Sequence, residues 1–262
     1  MKKILLLVHD DAGLASRLEV ALDVARALDG TLLCLDLTIP IASVGADPLF
    51  GPMVLEPETA TQAVVAARAK LDRSGLRYDW IERRGELATE LAHVAPLADL
   101  VVLSSPRDML FPAMHKAIGD TLVRTNKPVL AVPGTPAGMR IHGDVLLLWD
   151  GSPEANDAML AAMPLLSHAA SVTVLEIDDG SLGLPALKAT EYLSERGIAN
   201  HLRQEMAFGE KAGFLILEWI DTLKPAYVVM GGYSHARLVE GLFGGVTERL
   251  LDDCPIPLFI KH

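Results

Sequence analysis

The sequence predicts an α/β protein made of two tandem doubly wound domains, each a parallel sheet with helices on both faces. Three observations carry this. Short aliphatic runs alternate with segments whose apolar residues recur at helical spacing. The alternation stops at Pro133, Gly134, Thr135 and Pro136 and then begins again. Landmarks of the first pass recur in the second, as they do after duplication of a unit of about 130 residues.

In the first pass, residues 3–8 read as a buried aliphatic strand ending at His9, Asp10 and Asp11. Over residues 14–28, Leu14, Leu18, Ala21, Leu22, Ala25 and Leu28 fall on one helical side, and Asp29 with Gly30 ends the helix. Residues 31–37 form the second strand. Residues 38–57, with four prolines and two glycines, are a long loop that is either a functional flap or a mobile excursion. A helix over 58–74 closes at Gly75. A more polar strand over 76–83 suits a place near a sheet edge, and a short helix covers 85–95. A strand over 98–103, a helix over 116–124 and a strand over 128–132 complete the unit.

The second pass opens with a strand over 144–149 and the turn Asp150, Gly151, Ser152. A helix over 153–166 follows, with Pro153 in its first turn and Ser152 as N-cap. Strands over 172–177 and 198–206 frame a helix over 184–196 that ends at Gly197. A helix over 211–221, a strand over 227–230, a helix reaching Asp252 and a strand over 257–260 close it. Asp10 matches Asp150, Gly85 and Glu86 match Gly209 and Glu210, and residues 97–104 match the stretch that ends at Gly232. The domains are placed at 1–135 and 141–262.

Composition narrows the functions. Half the residues are hydrophobic and the mean hydropathy is +0.31, so a sizeable core is available. A net charge of −11 and a pI near 5.1 repel nucleic acid and anionic lipid, so neither is an expected partner. Cys34 and Cys254 have no metal-ligand spacing and read as small buried residues in a reducing compartment. The apolar run 4–8 is too short for an export segment, and no apolar stretch reaches membrane-spanning length. The expectation is a cytoplasmic protein away from membranes. His9, Asp10 and Asp11 alternate in direction along a strand, so no metal site is expected there.

The stretch richest in chemical meaning is 226–247. A short apolar run meets Gly231 and Gly232, a polar loop leads to Gly244 and Gly245, and a helix begins at Val246 and Thr247. Strand, glycine loop and helix start let backbone N–H groups surround a phosphate. Glycines after a strand also serve simply to turn the chain. His235 and Arg237 lie in the loop as phosphate contacts or as solvated charges.

The second half resembles the universal stress protein (UspA) superfamily in residues 146–155, 208–220 and above all 228–260. The first half is similar but more diverged. The resemblance spans nearly the whole chain, in the family's tandem form. It implies five-stranded parallel sheets of order 3-2-1-4-5. It also implies ATP held by a Gly-x-x-Gly-x9-Gly-Ser/Thr loop after the fourth strand, a loop that some members lack. Here Gly231 holds the first glycine place, Ser234 replaces the second, Gly244 holds the third and Gly245 takes the Ser/Thr place. The resemblance sets the nucleotide against Asp150, Gly151, Ile177, Met230, Gly231, Ser234, His235, Arg237, Gly244, Gly245, Val246 and Thr247. Asp150 is either a ribose ligand or part of a helix-entry turn, and Ile177 either a backbone contact for adenine or a core residue. The missing hydroxyl at Gly245 removes one hydrogen bond, about 1 kcal/mol, so binding is expected to be weakened, not lost.

After Leu103 the first half has no glycine until Gly119, so no equivalent loop is expected there. The expected function is a stress-response regulatory or binding protein that takes ATP or another adenine nucleotide in its second half. The alternative is a nucleotide-free interaction protein with a vestigial loop. No nucleophile–base pair or metal-ligand set marks an enzyme, and at most weak ATP hydrolysis is expected. Prolines near the start of each last strand suit an edge position, through which the two halves pair; chains are expected to pair again as a homodimer.

Overall fold

Uninterrupted aliphatic runs such as Ile4 to Val8 cannot show either face to water, so their strands must lie between two covering layers. The computed structural model has that form. It describes residues 1–38, 41–42, 54–55, 61–106, 115–135, 138–178, 183–206, 211–233 and 245–262.

The first half runs β1 (Lys3–Val8), α1 (Leu14–Ala27), β2 (Thr31–Thr38), β3 (Ile41–Ala42), β4 (Val54–Leu55), α2 (Gln62–Arg73), β5 (Tyr78–Arg84), α3 (Leu87–Val94), β6 (Leu100–Ser104), α4 (His115–Thr125) and β7 (Val129–Val132). The second runs β8 (Val145–Trp149), α5 (Pro153–Leu166), β9 (Val172–Asp178), α6 (Ala186–Ser194), β10 (Asn200–Met206), α7 (Lys211–Leu223), β11 (Tyr227–Gly231), α8 (Gly245–Asp253) and β12 (Leu258–Lys261). Within the proline-rich 38–57 stretch, β3 and β4 pair antiparallel; most of that stretch lies outside the described residues.

The other ten strands form one sheet, in the order β10-β9-β8-β11-β12-β7-β6-β1-β2-β5. Numbered within its own half, each five-strand set reads 3-2-1-4-5. All pairings within either five-strand set are parallel. The halves meet where β12 pairs antiparallel with β7: Leu258 with Ala131, Phe259 with Leu130, Ile260 with Val129. A pseudo-twofold axis therefore passes between Leu130 and Phe259. Beside it, the buried Lys261 donates from Nζ to Asn126 Oδ1.

Alternation along the strands sorts the core into two layers. Ile4, Leu6 and Val8 face the layer of Leu18 and Leu22 (α1), Leu71 (α2), Ala158 and Leu165 (α5) and Leu193 (α6). Leu5 and Leu7 face Leu91 (α3), Ile118 and Leu122 (α4), Ile216 (α7) and Leu250 (α8). Each layer is one cluster running through both halves. The residues just before β8 take part: Met139 and Ile141 are buried, and Met139 N–H donates to Asp23 Oδ2 on α1 at 2.9 Å.

Helix ends follow local chemistry. Thr61 and Ser152 cap α2 and α5 through their side-chain oxygens. Gly75 and Gly197 take the left-handed backbone, at φ +73° and +71°, that ends α2 and α6. After α1 it is Asp29, at φ +48°, and not Gly30 that turns left-handed. Gly30 is required for a different reason: a Cβ there would lie 3.1 Å from both Ile4 Cδ1 and the Lys2 carbonyl oxygen. No helix among the described residues is long and apolar enough to cross a membrane.

Both cysteines are buried and free. Burial, with the Asp79 charge adding to it, pushes the Cys34 thiol from 9.0 up to about 12; burial pushes Cys254 up to about 11. The folded state thus holds both protons more tightly than the unfolded state does. Their contribution to stability is complete below pH 9 and is lost as pH rises through 11 and 12. The urea midpoint is expected to fall across that window. At pH 8 a thiol reagent should find no reactive cysteine in the folded protein and two in guanidinium.

Candidate functional site

In a doubly wound sheet the strand order reverses at one point, and the helices that follow the two strands there leave toward opposite faces. The C-terminal strand ends open into a crevice at that point. This chain has two such points, β1 beside β6 and β8 beside β11.

The first is filled by an arginine. Arg17 lies on the inward side of α1, fully buried, within reach of both strand ends. Its Nε donates to the Leu7 carbonyl at 2.7 Å. Nη1 donates to Asp11 Oδ1 at 3.0 Å and to Ser104 Oγ, and Nη2 to Asp11 Oδ2 at 3.1 Å and the His9 carbonyl at 3.3 Å. All five donors of the guanidinium have acceptors inside the protein. Both side chains of the Arg17–Asp11 pair are fully buried. The crevice of the first half is thus closed by the chain itself.

The second point carries other residues. The ladders place Ser104 of β6 and Gly231 of β11 at matching positions. Counting from the first residue of each helix, Arg17 corresponds to Asn156. Among the described residues no arginine stands in the place of Arg17 here. Gly231 faces the first turn of α5, where a Cβ would stand 2.5 Å from Ala155 N and 2.6 Å from the Glu154 carbonyl carbon. Gly232 faces the other way: a Cβ would come within 2.8 Å of Ile260 Cγ2 and 3.4 Å of Thr247 Cγ2 in the first turn of α8. Two helix N-termini from opposite faces therefore converge on this glycine pair. Such ends attract anions through backbone N–H groups and the helix dipole. One carboxylate in each first turn, Glu154 and Glu248, lowers that positive potential.

The other expected residues fall as follows. Asp150 is exposed, and its Oδ1 accepts from Ser152 N–H at 2.9 Å, the geometry of a helix-entry turn. Gly151, at φ +72°, backs onto residues 183 and 184. A Cβ on it would sit 2.3 Å from Leu184 N. Those residues are strapped over the end of β8 by Gly183 N–H to the Asp150 carbonyl (3.1 Å), Leu184 N–H to the Gly151 carbonyl (3.0 Å) and Trp149 Nε1 to the Leu184 carbonyl (2.7 Å). Ile177 is half-buried on β9 and Met230 is buried on β11; both side chains pack into the second core layer. Gly245 opens α8, where a Cβ would meet no described residue within 4 Å; Val246 is half-buried and Thr247 is buried. Ser234, His235, Arg237 and Gly244 lie outside the described residues.

Two features escaped sequence reasoning. Arg17 falls three residues after Leu14 on the apolar side of α1, and a charge in that position was the available signal. Asp10 is not the counterpart of Asp150. Strand register aligns His9 with Asp150, and the matching carboxylate is Asp11, whose Oδ1 accepts from Gly13 N–H, two residues on and at the N-cap of α1. Elsewhere, the buried Glu176 caps α6 through Ala186 N–H (2.7 Å) and holds Gln204 Nε2 (2.6 Å). Two grooves, of about 640 and 370 Å³, lie away from Gly231. One is bordered by Asp23, Arg26 and His142, the other by Leu217, Lys224 and Pro255. Among the described residues no cluster of His, Cys, Asp and Glu could hold a metal.

No family model and no curated protein matches the chain by sequence. Solved structures do match it over its length. A universal stress protein from Archaeoglobus fulgidus DSM 4304 superposes with a TM-score of 0.70 at 15% identity, covering 99% of this chain and 95% of that one. A functionally unknown protein from Pseudomonas aeruginosa PAO1 gives 0.63 at 17%, covering 100% and 92%. A provisionally assigned universal stress protein from Pseudomonas aeruginosa UCBPP-PA14 gives 0.59 at 17%, covering 100% and 93%. The chain has the fold of these proteins from end to end.

The Arg17 plug makes a stability prediction. Asp11→Ala leaves a buried guanidinium without its counter-charge and is expected to cost about 3–5 kcal/mol in urea unfolding. Replacing both partners, as in Asp11→Leu with Arg17→Met, is expected to cost less than Asp11→Ala alone.

Proposed function

We propose that this protein is a stress-response binding protein of the universal stress type, with domains at 1–135 and 141–262, that takes ATP or another adenine nucleotide in the second half. The observation that carries this reading is the glycine pair at the second switch point. Gly231 and Gly232 stand between the first turns of α5 and α8, where the first half has Ser104 and a buried arginine. The triphosphate would lie against Gly231, Gly232, Gly245 and the N-terminal turn of α8, with Asp150 and Gly151 on the ribose side. By resemblance, Ser234, His235, Arg237 and Gly244 complete the phosphate loop, with Ile177, Met230, Val246 and Thr247 around it. The reading includes a cytoplasmic setting and a homodimer of chains.

One observation favours a second reading, a nucleotide-free interaction protein. Gly231 is already required by packing, because any Cβ would strike the α5 backbone. Its presence is accounted for without a ligand.

Equilibrium dialysis with labelled ATP separates the two. Binding that competes with ADP supports the first reading; no binding at millimolar ATP supports the second. Gly245→Ser sharpens the test, since it adds a hydroxyl at the start of α8 where no described residue lies within 4 Å of a Cβ. It is expected to tighten ATP binding roughly fivefold, the equivalent of one hydrogen bond, with no loss of thermal stability.

A further inference from the structure

Gly119 sits in the middle of α4, where glycine is the poorest helix former after proline. Among the described residues, the three atoms nearest to a Cβ at that position all belong to the other half. The explanation comes from the other half of the chain. A Cβ on Gly119 would stand 3.0 Å from Tyr233 Cε1, 3.1 Å from Cζ and 3.3 Å from Oη. The ring of Tyr233 therefore lies flush on the α4 backbone, in the space a side chain would fill.

Tyr233 follows Gly231 and Gly232 directly. Its backbone is left-handed, at φ +59°, which side-chain-bearing residues rarely adopt. The residue before it is tied to the end of β12: Gly232 N–H donates to the Lys261 carbonyl at 3.0 Å, and the Gly232 carbonyl meets His262 Nδ1 at 3.3 Å. The ring packs into the core layer that holds Ile118 and Leu122 of α4 and Leu250 and Leu251 of α8. Burial, with Glu248, Asp120 and Asp252 nearby, pushes the phenol up to about 12, so the ring stays neutral. A strained backbone persists where its surroundings over-determine it. Here the surroundings are α4 of one half and α8 of the other.

We infer that Gly119 and Tyr233 form a positioning contact across the two halves: α4 holds the direction in which the chain leaves Gly231 and Gly232, and so sets the nucleotide affinity of the second half. This rests on the nucleotide reading above and extends it to a residue of the opposite half. Coupling of this kind is reciprocal, so bound nucleotide also stabilises α4.

The test uses the full chain, ATP as the probe, and two readouts. By equilibrium dialysis, Gly119→Ala and Tyr233→Ala are each expected to raise the Kd about fivefold or more, while Tyr233→Phe, which keeps the ring, stays within about twofold of the parent. The double variant Gly119→Ala/Tyr233→Ala is expected to bind no more weakly than Tyr233→Ala alone, because the added methyl then has no ring to displace. A general loss of stability would not give this pattern, since alanine improves the helix propensity of α4. In the unmodified chain, ATP is expected to slow amide hydrogen exchange across 115–125, and this readout does not depend on any variant folding. ATP binding with unchanged Kd in Gly119→Ala and Tyr233→Ala, or with no slowing across 115–125, overturns the inference alone. Absence of ATP binding by the unmodified chain overturns the nucleotide reading and this inference with it.

Discussion

The antiparallel ladder between β12 and β7 is the constraint on which the rest of the molecule depends. Each half is a parallel sheet, and its last strand would otherwise be an open edge with a row of unpaired N–H and C=O groups. Three residue pairs around Leu130 and Phe259 satisfy both edges at once. Because the strands run in opposite directions there, the C-terminal end of β12 meets the N-terminal end of β7. Lys261 then reaches Asn126, and the start of the glycine stretch comes to rest on α4. Tyr233 of the second half thus packs on α4 of the first, a contact that the antiparallel join brings within reach.

Within this near-symmetric frame the two switch points have diverged through few residues. The first has Arg17, Asp11 and Ser104 locked together with two backbone carbonyls. The second has Asn156, Asp150 and Gly231 in the corresponding places. The same aspartate role, accepting from the backbone at the helix entry, survives in both. What differs, among the described residues, is whether a cation of the protein occupies the opening. A guanidinium with every donor engaged leaves nothing for an external anion to bind.

Most of the architecture was legible in the sequence because it rests on local patterns. Apolar runs gave each long strand to within two residues at either end, and α5 was read with its N-cap Ser152 and Pro153 in place. Gly75 and Gly197 stopped their helices for the reason glycine usually does. The failures share a cause: they concern contacts between residues far apart in sequence. Arg17 is an unexplained charge on the apolar side of α1 until Ser104, 87 residues away, is brought beside it. Gly119 reads as a weak spot in a helix until Tyr233 is laid on it. Equating Asp10 with Asp150 followed the nearest identical letter, while the longer turn before α1 moves the matching carboxylate to Asp11. The glycines of the candidate site were legible as a motif, but Gly231 is also required by the approach of α5, which no motif could reveal.

Carrying both partners of the central ladder on one polypeptide has a consequence for heredity of form. Subunits that associate freely exchange, and dilution parts them. Two lobes on a single strand do neither, because the tether keeps each at high local concentration about the other. The half that holds the Arg17 plug is therefore always mated to the half that holds Gly231 and Gly232. Mutation can change one lobe without any generation producing mismatched pairs.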